Sequence, residues 1–282
     1  MLRSSGAILI ARGILAVSSF LINALVTRLM IEHYGVNQFA AISLLLSLPS
    51  LIPFGDLGMG TSAVNAAADL QRDPNSKTAA QQIASAQIVV LVMGCIIAGT
   101  AAVLYASDAW QQLLGSGVSA VAGVAAGASL ILTIVSVNVA LSIGTRALQG
   151  WQRITTSLLI SLVTAPLTLT FALSFMYSGA PPGIAAVSAS LALVITSAIC
   201  WIAVLANKRV ALLSRMRAAT PTRKAYKYVF SIGISGLIVS ASTAAVLQSD
   251  RIILSLRDDL QSLAEYGVVV PLFAALWGFL TP

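Results

Sequence analysis

Eight stretches of this chain are apolar and long enough to cross a bilayer, and that repetition restricts the fold more than any motif within it. About 20 consecutive apolar residues match the hydrocarbon thickness of a membrane. In lipid, a helix satisfies its own backbone polar groups, so repeated spans of this length specify a helical bundle. The spans read as 8–30, 38–66, 80–105, 118–145, 155–176, 184–206, 229–250 and 263–282. An apolar fraction of 58% with only 9% charged residues lies outside the soluble range. The first run is too long for a signal-peptide core and is followed by further spans, so no cleaved leader is expected.

The net charge of +7 raises nucleic-acid binding as a possibility, and the placement of the charges argues against it. Arg3, Arg12, Arg72, Lys77, Arg146 and Arg153 sit at the N-terminus and in the second and fourth loops. Lys208, Arg209, Arg215, Arg217, Arg223, Lys224 and Lys227 fill the sixth. The odd-numbered loops hold only Arg28, Arg251 and Arg257. The positive-inside rule therefore puts the N-terminus in the cytoplasm. Tyr105, Trp110, Tyr177 and Tyr266 then mark the outer interface, and Trp151, Tyr226 and Tyr228 the inner one.

The longest basic stretch divides the chain. Residues 1–206 form a complete six-helix lobe, 207–228 a cytoplasmic linker, and 229–282 the first two helices of a second lobe. A weak repeat supports this division. Arg28-Leu29-Met30-Ile31 precedes Tyr34-Gly35, Ala40-Ala41 and Pro49, while Arg251-Ile252-Ile253-Leu254 precedes Ala264, Tyr266-Gly267 and Pro271. Parallel repeats about an axis along the membrane normal are a transporter design. A second lobe matching the first needs about six spans, so the chain is expected to lack part of it.

The second span is the least regular. Pro49, Pro53, Gly55, Gly58 and Gly60 weaken its hydrogen-bond ladder and predict a hinge. Asp56 lies within it, and a carboxylate at that depth must face protein, water or a partner. It is either an ion-coupling site or a capping carboxylate at the inner interface. Arg12, Arg28 and Arg251 flank the first and seventh spans, as candidate contacts for an anionic substrate or as headgroup anchors. Arg28 and Arg251 share a place in the repeat, which predicts that they face each other between lobes. Asn138 in the fourth span is a candidate substrate contact or a helix-to-helix hydrogen bond. Gly123 and Gly127 give a close-packing spacing. Cys95 and Cys200 read as small apolar-helix thiols. No nucleophile, metal-ligand or paired-carboxylate pattern appears, so neither an enzyme nor a cofactor or metal is expected.

Tyr34-Gly35 and Phe39-Ala40, followed by Gly55-Asp56-Leu57-Gly58-Met59-Gly60-Thr61-Ser62-Ala63-Val64-Asn65, resemble the start of polysaccharide biosynthesis membrane proteins. These are the O-antigen or repeat-unit flippases (Wzx-type) of the multidrug/oligosaccharidyl-lipid/polysaccharide exporter superfamily. Arg146-Ala147-Leu148-Gln149-Gly150-Trp151-Gln152-Arg153 resembles that family's loop after the fourth span, and Asp250-Arg251-Ile252-Ile253-Leu254 with Glu265-Tyr266-Gly267 its seventh-span ending. The resemblance implies two lobes around a central cavity in the bacterial cytoplasmic membrane. It also implies a polyprenyl-pyrophosphate-linked oligosaccharide as substrate, held through its pyrophosphate by basic residues. That role carries over to Arg28 and Arg251. Partners implied are membrane lipid, a polysaccharide polymerase and a chain-length regulator. A small-molecule antiporter of the same superfamily, with Asp56 coupling cations, and a scaffold subunit of an envelope-assembly complex are the other readings.

Overall fold

The computed structural model describes residues 2–51, 58–207, 211–257 and 259–280, with side chains described from residue 13 onward except at 50–51, 244–245, 247–248 and 271–280. Among the described residues every regular element is helical. In chain order these are α1 (Leu2–Tyr34), α2 (Val36–Leu51), α3 (Met59–Arg72), α4 (Lys77–Ala106), α5 (Trp110–Leu114), α6 (Ser116–Ser119) and α7 (Val124–Gly150). They continue as α8 (Ile154–Ser161), α9 (Thr164–Tyr177), α10 (Pro182–Ala185), α11 (Val187–Leu205), α12 (Leu212–Ala218), α13 (Arg223–Leu256) and α14 (Leu260–Leu280).

Six helical stretches among the described residues are long and apolar enough to span: 13–34, 77–106, 124–150, 154–177, 182–205 and 223–243. The expected count of eight continuous spans is not reproduced, and the physical reason is clearest in the second. Residues 38–66 are divided between α2, which ends at Leu51, and α3, which begins at Met59. Gly58 caps α3 at φ 69°, a left-handed conformation that costs a residue with a Cβ but not glycine. The helix therefore cannot run through Gly58, and Pro49 already interrupts the last turns of α2. Pro53, Gly55 and Asp56 lie outside the described residues. Gly60 is buried in the first turn of α3. The eighth expected span overlaps α14, which is not among those six stretches.

Capping residues explain where the long helices start. Ser76 accepts from the Ala79 amide at 3.4 Å to open α4, and Thr222 accepts from the Ala225 amide at 3.3 Å to open α13. Asp259 accepts from the Ser262 amide at 3.0 Å in the first turn of α14, and the Ser262 hydroxyl and amide together hold its carboxyl below the usual range.

α7 is the centre of the bundle. It packs against α4, α11, α3 and α2. Its buried face supplies Ile131, Ile143 and Leu148 to a core that also holds Phe39, Ile42, Leu45, Leu70 and Ile83. Gly127 meets the Gly183 carbonyl oxygen, so the predicted glycine spacing does bring α7 against α10. Trp110 and Trp151, expected at the membrane interfaces, are packed among helices at the end of the bundle they mark in sequence; Trp110 is buried and its Nε1 donates to Ser129 Oγ at 2.8 Å. Cys200 is buried, whereas Cys95 is on an exposed face of α4.

The basic segment after α11 is docked on the bundle. α12 packs on α4 and α11 through buried Leu212, and Arg215 Nη1 donates to Asn75 Oδ1 at 3.2 Å. α13 packs along α3, α4 and α2, and α14 along α2 and α1.

Candidate functional site

Two adjoining cavities lie where α1, α2, α9 and α11 converge. One, of about 290 Å³, is lined by Ser19, Asn23, Pro49, Thr164, Thr168 and Ser190 together with apolar residues. The other, of about 240 Å³, adds Thr27, Ser43, Ser188, Arg251 from α13 and Gly267 from α14. Both walls include Asn23, Leu46, Thr168 and Ala189, so the two share a wall. Among the described residues the lining is rich in hydroxyls, contains one cation and contains no carboxylate.

Arg251 is the unusual residue of this site. It is only 7% exposed, and no carboxylate pairs with it among the described residues. Its Nη1 reaches the Ser43 carbonyl oxygen at 3.5 Å, the long limit of a hydrogen bond, and its Nε has no partner. The Tyr266 ring lies 5.9 Å from the guanidinium carbon, within cation–π range. Asp250, its neighbour in sequence, is engaged elsewhere and accepts from the Tyr266 hydroxyl at 2.9 Å. A buried cation without a counter-ion among the described residues is unfavourable.

Ser43 is where three helices meet. It contributes its carbonyl to Arg251, and Gly267 of α14 lies against its side chain, where an added Cβ would come within 2.6 Å of Ser43 Cβ. Any larger residue at Gly267 would push α14 off α2.

The other candidate residues are distributed differently. Arg28 is exposed and ion-paired with Glu32 at 2.7 Å, one helical turn on, and it does not line the cavity. The repeat placed Arg28 and Arg251 at equivalent positions; the fold gives one a carboxylate and solvent-facing room, and the other a buried wall. Asn138 accepts from Ser197 Oγ at 2.6 Å, linking α7 to α11. The side chain of Arg12 and all of Asp56 lie outside the described residues. Pro49 lines the larger cavity. Gly58 lies against the Gly233 carbonyl of α13, so the break in the second span is also the contact point of the seventh.

Ser188, Ser43, Thr27 and Tyr266 were not marked by the sequence as site residues. Serines and threonines are common on membrane helices and usually bond their own backbone. The one available signal was the hydroxyl-dense start of α11, at Ser188 and Ser190.

Among the described residues no group of three His, Cys, Asp or Glu side chains could hold a metal ion.

No protein-family model and no curated protein sequence matches this chain. Solved structures do match in fold. A MOP superfamily transporter from Pyrococcus furiosus superposes with a TM-score of 0.66 at 18% identity, over 97% of this chain and 64% of its own. A MATE protein crystallised in complex with MaD3S gives a TM-score of 0.62 at 18% identity, over 97% of this chain and 65% of its own. The chain thus has the helical, multi-pass fold found in MOP superfamily (MATE) transporters, and it spans slightly less than two thirds of the length of these two structures.

Proposed function

We propose that this chain is part of an alternating-access membrane transporter whose substrate carries phosphate, and that it works as a flippase for a polyprenyl-pyrophosphate-linked oligosaccharide. The observation that carries this reading is Arg251: a buried guanidinium with no carboxylate, facing a hydroxyl-lined cavity. Guanidinium groups recognise phosphate oxygens with directed, charge-assisted hydrogen bonds. The hydroxyls and the Asn23 amide offer neutral partners to sugar or phosphate oxygens, and the apolar exterior of α1 adjoins lipid that would hold the polyprenyl tail. In this proposal the N-terminus is cytoplasmic, the membrane is the bacterial inner membrane, and residues 229–282 begin a second lobe. The product would serve cell-surface polysaccharide export, beside a polymerase and a chain-length regulator.

The fold alone serves a small-molecule antiporter equally well. That reading is favoured by the superposition on a MATE protein. It needs a carboxylate that binds the coupling cation, and Asp56 is its candidate. The Pyrococcus furiosus protein is described as having a binding pocket of reverse polarity that suggests a different function, so a change of pocket charge within this fold has a parallel.

The deciding experiment expresses the native gene in a flippase-deficient strain and in a drug-hypersensitive strain. Rescue of surface polysaccharide by the wild type, lost in Arg251→Ala at equal membrane abundance, is expected. Drug resistance without polysaccharide rescue would replace the flippase reading by the antiporter.

A further inference from the structure

Another cavity, of about 490 Å³, lies outside the site just described, where the turn before α4 meets the linker helix α12. Asn75, Ser76, Lys77 and Gln81 line it from one side, and Arg215 and Thr220 from the other. It is an open cleft: Asn75, Lys77 and Thr220 are exposed and Arg215 is half-buried. Among the described residues its wall holds two cations and no carboxylate. Asp73, the nearest acid in the chain, stays outside the wall and accepts from the Asn75 amide at 3.0 Å. Arg215 Nη1 donates to Asn75 Oδ1 at 3.2 Å, which holds the guanidinium at the edge of the cleft.

The charge around the cleft has one sign. Residues 207–228 contain no acid, and between Asp73 and Asp250 the chain has a single one, Asp108, beyond the far end of α4. Two cations brought to one cleft from separate elements repel each other, and an anion between them relieves that repulsion. Depth then selects the kind of anion. α4 has 30 residues and is about 45 Å long, which matches the thickness of about 40–45 Å of a bilayer with its headgroup layers. Its first turn, with Lys77, therefore stands at headgroup level. About two and three turns beyond Gln81 on the same face, Ile88 and Val92 are exposed, as a lipid-facing stripe requires. A phospholipid uses both features, with its phosphate in the cleft and its acyl chains against α4. A free ion uses only the first.

We infer that Lys77 and Arg215 form a headgroup site for an anionic phospholipid. In the proposed orientation its leaflet is the cytoplasmic one, and the site is independent of what the transporter moves. Lys77 supplies a point charge and Arg215 a planar fork of donors suited to phosphate oxygens. Asn75 is a positioning residue, acting on the lipid through Arg215. Because the two cations come from α4 and α12, a bound lipid ties the linker to the six-helix lobe, and docking of the linker depends on lipid composition.

The test is native mass spectrometry of the full-length protein in detergent, titrated with phosphatidylglycerol, with zwitterionic phosphatidylcholine and with inorganic phosphate. Saturable binding of phosphatidylglycerol in preference to the other two is expected. Lys77→Gln and Arg215→Gln should each weaken it about fivefold, the effect of one basic side chain at an anionic surface, and the double variant by more than about tenfold. Arg215→Lys keeps the charge, loses the fork and should fall between wild type and Arg215→Gln. Asn75→Ala should weaken binding in the wild type and cause no further loss in Arg215→Gln. Arg153→Gln, which removes an exposed cation outside the cleft, is the charge-matched control and leaves affinity unchanged. Lys77 is exposed, so Lys77→Gln decides the matter even where Arg215→Gln does not fold. Unchanged affinity in Lys77→Gln overturns the site. Equal binding of phosphatidylcholine removes the anion selectivity on which it rests, and inorganic phosphate binding as tightly as the lipid makes the ligand a soluble ion. A loss in Arg153→Gln equal to that in Lys77→Gln reduces the site to a diffuse positive field.

Discussion

Replacing Arg251 with methionine is expected to stabilise the empty protein while abolishing its response to anion. The wild-type residue brings a guanidinium to 7% exposure with one unpartnered N–H. An unsatisfied buried donor costs about 1–3 kcal/mol. The Tyr266 ring at 5.9 Å returns about 0.5–2 kcal/mol, and the contact to Ser43 at 3.5 Å returns little. Methionine fills similar volume, needs no partner and adapts to irregular walls. Taking mid-range values, the net gain is about 1 kcal/mol. With about 2–4 °C per kcal/mol for chains of 150–250 residues, the apparent melting point should rise by about 2–4 °C. The assay is intrinsic tryptophan fluorescence of purified protein at a fixed scan rate, because membrane proteins unfold irreversibly and the midpoint depends on rate. Pyrophosphate at 100 times its dissociation constant stabilises a one-site binder by about 2.7 kcal/mol, so the wild type should overtake the variant when it is added. If Arg251→Met melts below the wild type without pyrophosphate, and the wild type does not respond to it, the guanidinium is a structural tie among α13, α2 and α14.

Further expectations concern topology, the helix break, the acid and the second arginine. With Cys95 and Cys200 replaced, a cysteine at Thr220 should resist an impermeant thiol reagent in intact cells and one at Ser178 should label; the reverse pattern inverts the proposed orientation. Neither position is buried, so accessibility reports side of membrane and not burial. Gly58→Ala should lower membrane abundance, since its Cβ would meet the Gly233 carbonyl at a left-handed φ of 69°; normal abundance and melting would mean that α13 does not pack there. Asp56→Asn should remove the ion-gradient dependence of transport and leave pyrophosphate binding intact; retained gradient dependence would make Asp56 a structural carboxylate. Arg28→Ala should reduce flipping far less than Arg251→Ala, because Arg28 is exposed and already paired with Glu32. Equal losses would restore the symmetric two-arginine site.

The linear chain carries the membrane class, the helical architecture and most span positions. Each follows from a local requirement: a backbone segment in lipid must satisfy its own hydrogen bonds, and the spans of α4, α7 and α11 show that as uninterrupted apolar runs. Pro49 and Gly58 likewise announce a break, because proline and left-handed glycine act on their own turn of helix. The cavity is a different kind of property. Arg251 is an ordinary residue until α13 stands against α2 and α14, and absence of a carboxylate partner is a statement about every described neighbour at once. Nor does the sequence show that Arg251 is the buried one of the two arginines. Both follow an apolar run, yet Glu32 lies one turn beyond Arg28, whereas Asp250 is turned towards Tyr266 and leaves Arg251 to the cavity. Helix packing decides which of two like charges is solvated and which is buried, and with it where an anion can bind.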